Sequence, residues 1–150
     1  FLVIGGGMQL MGKYRIRDGE KTEMIGAVDL YTELGSERMT GNFAFSCDAA
    51  HGDVVVGFEN HTGRTRLGED VSPLGKVLAG HGSNGGDGTE GCRYKNLFGS
   101  YCHGPLLPKN PLPAAAKAAL LPSIGVMGAP PERVFIVTST ESMVATVIQA

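Results

Sequence analysis

A chain of 150 residues, 42% hydrophobic and 19% charged, has the length of one globular domain and enough apolar side chains for a core, which excludes intrinsic disorder. Its formal net charge of -2, with no concentrated run of Lys or Arg, leaves no electrostatic footprint for nucleic acid or an anionic membrane. No apolar stretch approaches the roughly 18 residues of a membrane span, and no secretory leader is visible ahead of the first glycines, so a cytoplasmic location is expected.

In chain order, Phe1 to Ile4 is a short β-prone apolar run, followed by Gly5-Gly6-Gly7 and a stretch from Gln9 to Tyr14 that suits the first turns of a helix. A buried parallel strand needs neighbours on both sides, and the chain begins inside one; a fragment is expected, with the neighbours of Phe1 to Ile4 lying upstream. Arg15 to Glu23 reads as a charged loop broken at Gly19, and Leu30 to Thr32 as a brief apolar break before the polar segment Glu33 to Arg38. Alternation over Thr40 to Cys47 and the compact apolar run Val54 to Phe58 predict antiparallel neighbours in a β-rich middle section. Leu74 to Ala79 is a further strand, Gly80 to Gly91 a glycine-rich loop, and Asn96 to Tyr101 a last apolar segment that delivers His103 at its end. Several prolines then break regular structure until Ala114 to Leu121, a short helix by propensity; beyond it, Glu132 to Val137 reads as a strand and Thr138 to Glu141 as a capped helix start.

Cys47, Cys92 and Cys102 are odd in number and lack a Cys-x-x-Cys pair, which fits reduced thiols and not a disulfide framework or zinc site. His51, His61 and His81 match no zinc spacing and read as loop histidines.

The strand, glycine turn and helix start are the place to look for chemistry, because such a turn holds a side chain or ligand against helical N–H groups. Gly7 to Lys13 fits the Gly-x4-Gly-Lys spacing of a phosphate loop, but Tyr14 stands where Ser or Thr would bind magnesium, and no apolar strand ending in Asp follows. A nucleophile elbow fits better, with the apex residue strained and exposed and the next backbone N–H groups free for an oxyanion. Here the apex is Gly5, which has no nucleophilic atom.

Gly5-Gly6-Gly7-Met8-Gln9 matches the Cys-x-Gly-x-Gln elbow of class I glutamine amidotransferases at every position but the cysteine. Arg38-Met39-Thr40-Gly41-Asn42, Gly57 to Thr65, Gly88-Thr89-Glu90-Gly91 and Tyr101 to Pro111 follow in one order, and together these segments resemble the CobB/CobQ-like amidotransferases. Within that family the chain resembles the glutaminase subunits of lipid II isoglutaminyl synthase, and the likeness runs from Phe1 to about Pro111. The resemblance implies a three-layer, flavodoxin-like α/β fold, N-terminally truncated and carrying a β-rich insertion, over residues 1–121, with 122–150 a tail of unassigned character. It implies a glutaminase in which a cysteine at position 5 attacks glutamine, His103 shuttles the proton, and ammonia leaves as a thioester forms. Ammonia would pass to a Mur-ligase-like partner (MurT) that amidates the D-glutamate of lipid II. ATP and magnesium belong to that partner, and no cofactor or metal is expected on this chain.

Arg38 is the candidate for the glutamine α-carboxylate, with a solvated surface charge as the alternative; Gly6, Met8 and Gln9 would line the elbow with backbone N–H groups facing the oxyanion. Many class I members place a Glu two residues after the histidine, where this chain has Pro105. The likeness therefore points to a two-residue engine or a carboxylate from elsewhere, with Glu59 the candidate and a water-exposed strand-end acid its alternative. Without sulfur at Gly5 the chain is expected to be inactive, either a piece of a working amidotransferase or a non-catalytic, glutamine-binding partner. An incomplete sheet would expose strand edges and leave the chain marginal or aggregation-prone.

Overall fold

A computed structural model describes residues 1–50, 52–103, 134–139 and 143–148. In order, the elements are β1 (Leu2–Gly5), α1 (Gly6–Met11), β2 (Tyr14–Arg17), β3 (Glu20–Glu23), β4 (Leu30–Cys47), a 3-10 turn (Asp48–Ala50), β5 (Asp53–Leu67), β6 (Gly75–Ala79), β7 (Thr89–Glu90), β8 (Cys92–Tyr94), β9 (Leu97–Ser100), β10 (Val134–Ser139) and β11 (Met143–Ile148). Ala114 to Leu121 lies outside the described residues, as does His51.

Two mixed sheets result. The first runs β11-β10-β1-β9-β8, with β1 parallel to both β9 and β10. Both flanks of β1 are therefore filled by later strands, which corrects the expectation of upstream neighbours. Apolar Leu2 to Ile4 carries no surface face, so it is stable only between two such partners. One of them, β10, comes from the segment expected as a tail, where the helix start anticipated at Thr138 is instead the end of a strand.

The second sheet runs β3-β2-β4-β6-β7, and β5 pairs with the other edge of β4. β4 and β5 form a long antiparallel hairpin whose register shifts between Leu34 and Met39. The polar stretch Glu33 to Arg38 is thus strand and not an interruption, since cross-strand pairs with β5 bind it on both sides of the shift. The expected Arg15 to Glu23 loop is a hairpin, β2 to β3, turned at Asp18 (φ 51°) and Gly19 (φ 82°). Asp-Gly with both residues at positive φ is the turn whose twist matches its flanking strands.

Among the described residues α1 is the one α-helix, and the layered helices of the expected three-layer fold are not seen there. It ends at Met11 because Gly12 turns to extended backbone, so Tyr14 opens a strand where a helix was expected to continue. The phosphate-loop spacing lies mostly on this helix and runs past its end, with Met8 in the core and Lys13 paired to Asp29 at 2.6 Å.

One apolar cluster joins Val3, Met8, Leu30, Leu97 and Tyr101; a second joins Phe43, Phe45, Val55, Leu74 and Cys102. The sheets are stitched where Phe58 bridges His103 and Ser72 bridges Arg93. No helix among the described residues is long and apolar enough to cross a membrane.

Candidate functional site

Gly5 ends β1 and is the N-cap of α1, with φ 56° and ψ -119°, backbone that a side chain adopts only under strain. A β-carbon built there falls 3.0 Å from His103 Cε1 and 3.3 Å from His103 Nε2. The glycine turn and the imidazole therefore meet, although 97 intervening residues separate positions 5 and 103. His103 is held by its backbone, donating its N–H to Phe58 O at 2.6 Å and accepting from Phe58 N at 3.2 Å. Burial pushes its imidazole below the ordinary histidine pKa, so the ring is neutral at pH 7, the form a proton acceptor requires.

The side chain of Met8 is fully buried in the first cluster, which leaves only its backbone for the elbow. Gln9 Nε2 donates to Tyr101 Oη at 3.0 Å, so the carboxamide ties the elbow helix to the segment carrying His103. Tyr101 Oη also bonds Thr65 Oγ1 at 2.7 Å, and Thr65 bonds Thr32 Oγ1 at 2.8 Å, a chain of hydroxyls closed off from water. Gly6 follows the apex as the first residue of α1.

Arg38 is exposed at the register shift of β4, with Nη1 donating to Asn60 Oδ1 at 2.6 Å. Its neighbour Glu37 pairs with Arg64 at 3.3 Å instead. No described contact joins Arg38 to Gly5 or His103.

Glu59 is not a water-exposed acid: it is 1% exposed. Its carboxylate accepts from His81 N at 2.9 and 3.1 Å, from His81 Nδ1 at 2.6 Å and from Gly82 N at 3.2 Å. It therefore orients His81, half open to solvent, and its described hydrogen bonds include none to His103. His61 is likewise no loop residue. It sits buried on β5, its ring stacked on Tyr101 at 3.8 Å and 11°, with Nδ1–H donated to Gly63 O at 2.9 Å. Burial pulls its pKa down to about 4. Among the described residues no group of His, Cys, Asp or Glu has the arrangement of a metal site.

Cys102 adjoins His103 but cannot replace a thiolate at position 5. It is fully buried against Gly57 and Phe58, and burial pushes its thiol up to about 12. Two residues with a part in this geometry carried no role in the sequence reading, Tyr101 and Glu90. Tyr101 was findable, because residues two apart on an extended segment share a face, which puts its ring on the His103 side.

Residues 1–111 match the family model of the CobB/CobQ-like glutamine amidotransferase domain. The chain is 47% identical over 110 residues to the lipid II isoglutaminyl synthase (glutamine-hydrolyzing) subunit GatD of Staphylococcus aureus, covering 73% of this chain and 44% of that protein. It is 41% identical over 111 residues to the GatD of Streptococcus pneumoniae, covering 73% and 42%. A probable cobyric acid synthase of Methanothermobacter thermautotrophicus is 36% identical over 117 residues, covering 67% of this chain and 22% of the relative. The chain thus spans less than half the length of these relatives. With the matched segment taking in both the glycine elbow and the histidine that meets it, the chain belongs to the CobB/CobQ-like glutamine amidotransferase family.

Proposed function

We propose that this chain is the part of a glutaminase subunit that carries the elbow and the proton shuttle, and that as it stands it binds L-glutamine without hydrolysing it. The observation that supports this reading is the approach of His103 to Gly5. In a relative with cysteine at that apex, the thiolate attacks the carboxamide carbon, the imidazole passes its proton to the departing ammonia, and water releases glutamate from the thioester. Arg38 takes the α-carboxylate of glutamine and backbone N–H groups from Gly6 to Gln9 take the oxyanion, within an α/β domain completed by the length the relatives add. The ammonia serves a Mur-ligase-like partner that uses ATP and magnesium to amidate the D-glutamate of lipid II in peptidoglycan synthesis, a reading supported by the likeness to GatD subunits of lipid II isoglutaminyl synthase.

Because Gly5 has no sulfur, no thioester forms, and Gly5→Cys is necessary for turnover. The unmodified chain is expected to bind glutamine in a calorimetric titration and to release no ammonia above a His103→Ala control. Ammonia above that control overturns the inactivity; absence of glutamine binding overturns the assignment. The missing sulfur equally favours a second reading, a non-catalytic binding partner within the same complex. The codon for residue 5 in the gene separates the two, cysteine favouring the enzyme and glycine the binder.

A further inference from the structure

β9 ends at Ser100, and the next three residues carry the chain to His103 with sheet-like backbone bonds only at His103 itself, through Phe58. The N–H groups of Tyr101 and Cys102 are buried in this gap and need acceptors. One carboxylate takes the first directly and the second through the Ser100 hydroxyl. Glu90, fully buried at the end of the glycine-rich loop, accepts at Oε1 from Tyr101 N at 2.7 Å and from Ser100 Oγ at 2.8 Å. Ser100 Oγ in turn accepts from Cys102 N at 2.9 Å, so Ser100 and Tyr101 bond one oxygen directly and Cys102 reaches it through the Ser100 hydroxyl. The other oxygen, Oε2, accepts from Ser83 Oγ at 3.2 Å, and Ser83 Oγ accepts from Gly91 N at 2.7 Å, which fixes the carboxylate to its own loop. A buried carboxyl group is costly unless it is hydrogen-bonded, and two of its three donors, Ser100 Oγ and Tyr101 N, come from the segment leading to the imidazole. Through Tyr101 the same support reaches Gln9 of the elbow helix.

We infer that Glu90 is the positioning residue for His103, holding the Ser100 to Cys102 backbone so that the imidazole meets the Gly5 elbow, in place of the acid that Pro105 leaves out. It does not touch the ring. It sets where the ring starts, and its role in ammonia release rests on the glutaminase reading above.

The test is the nuclear Overhauser contact between His103 Hε1 and the Gly5 α-protons in the full chain, which a Cε1 lying 3.0 Å from the built Gly5 β-carbon makes strong. Glu90→Ala is expected to weaken this contact several-fold, and Glu90→Gln, which keeps an acceptor oxygen, to retain it. Val28→Ala, a comparable loss of buried packing that leaves these hydrogen bonds alone, is expected to retain it too. If Glu90→Ala does not fold, Ser100→Ala, which removes the hydroxyl between Glu90 and Cys102, decides and is expected to weaken the contact. An unchanged contact in the folded variant, or equal weakening in Val28→Ala, overturns the inference. L-glutamine titrated into the unaltered chain is a separate arm: no binding sinks the glutaminase reading and leaves the contact result standing.

Discussion

Tyr101 shows how much a single oxygen can carry. Its buried hydroxyl has Gln9 and Thr65 as partners, and burial pushes its pKa up to about 12. Tyr101→Phe keeps the ring but takes its acceptor from Gln9 and leaves Thr65 with Thr32 alone, so a loss of about 1 kcal/mol is expected in urea denaturation. An unchanged midpoint would mean that Gln9 and Thr65 find other partners at no cost. The ring stacked on it, His61, gives a pH signature. Its folded pKa of about 4 lies below the ordinary 6.5, so between those values the unfolded chain takes up a proton that the native chain refuses. Stability should therefore fall as pH drops through that window, by on the order of 3 kcal/mol in full from this residue. His61→Phe keeps the stacked face and removes the proton, so its stability should vary less with pH from 6.5 to 4; parallel curves for the two proteins would disprove the assignment.

At the scale of elements, what was legible in the sequence were the runs with one clear period. Val54 to Phe58, Thr40 to Cys47 and Leu74 to Ala79 emerge as strands, and the first two pair antiparallel as expected. Hidden were strands made of polar residues, because β2, β3 and the middle of β4 take their stability from cross-strand partners and not from an apolar face. Asp18-Gly19 was a visible turn signal passed over as loop. The meeting of Gly5 with His103 was legible because the glycine turn and the ordered motifs gave both ends. Glu59 was misjudged, since one chain of letters does not say which buried donors will surround an acid. Two substitutions test these elements. Gly19→Ala, forced to φ 82°, is expected to cost about 1 kcal/mol in thermal unfolding without disturbing His103. Gly63→Ala on the inner face of β5 places a methyl 2.7 Å from Gln9 Nε2 and 2.5 Å from Tyr101 Oη, so it should both destabilise the fold and lower glutamine affinity. Glutamine affinity equal to that of the parent would separate Gln9 from the binding site.

For the molecule as a whole, the long β4 to β5 hairpin is the frame on which the first sheet rests, through Phe58 and His103 and through Thr65 and Tyr101. The opposite face of β5 carries Val54, 53% exposed, and Phe58, 41% exposed, two positions of an alternating strand turned outward. Exposed apolar strand surface promotes association. Val54→Lys should lower light scattering on concentration while leaving the melting temperature unchanged, and scattering equal to the parent would place the sticky surface elsewhere.

With glycine at the apex, the imidazole rests so close that even a methyl would press on it. Installing sulfur is consequently a two-part event: the new atom must arrive and the ring must retreat by a few tenths of an ångström, a give that depends on the Phe58 tether. Gly5→Cys would begin from a crowded pair, and a second change that loosens that tether would relieve the crowding.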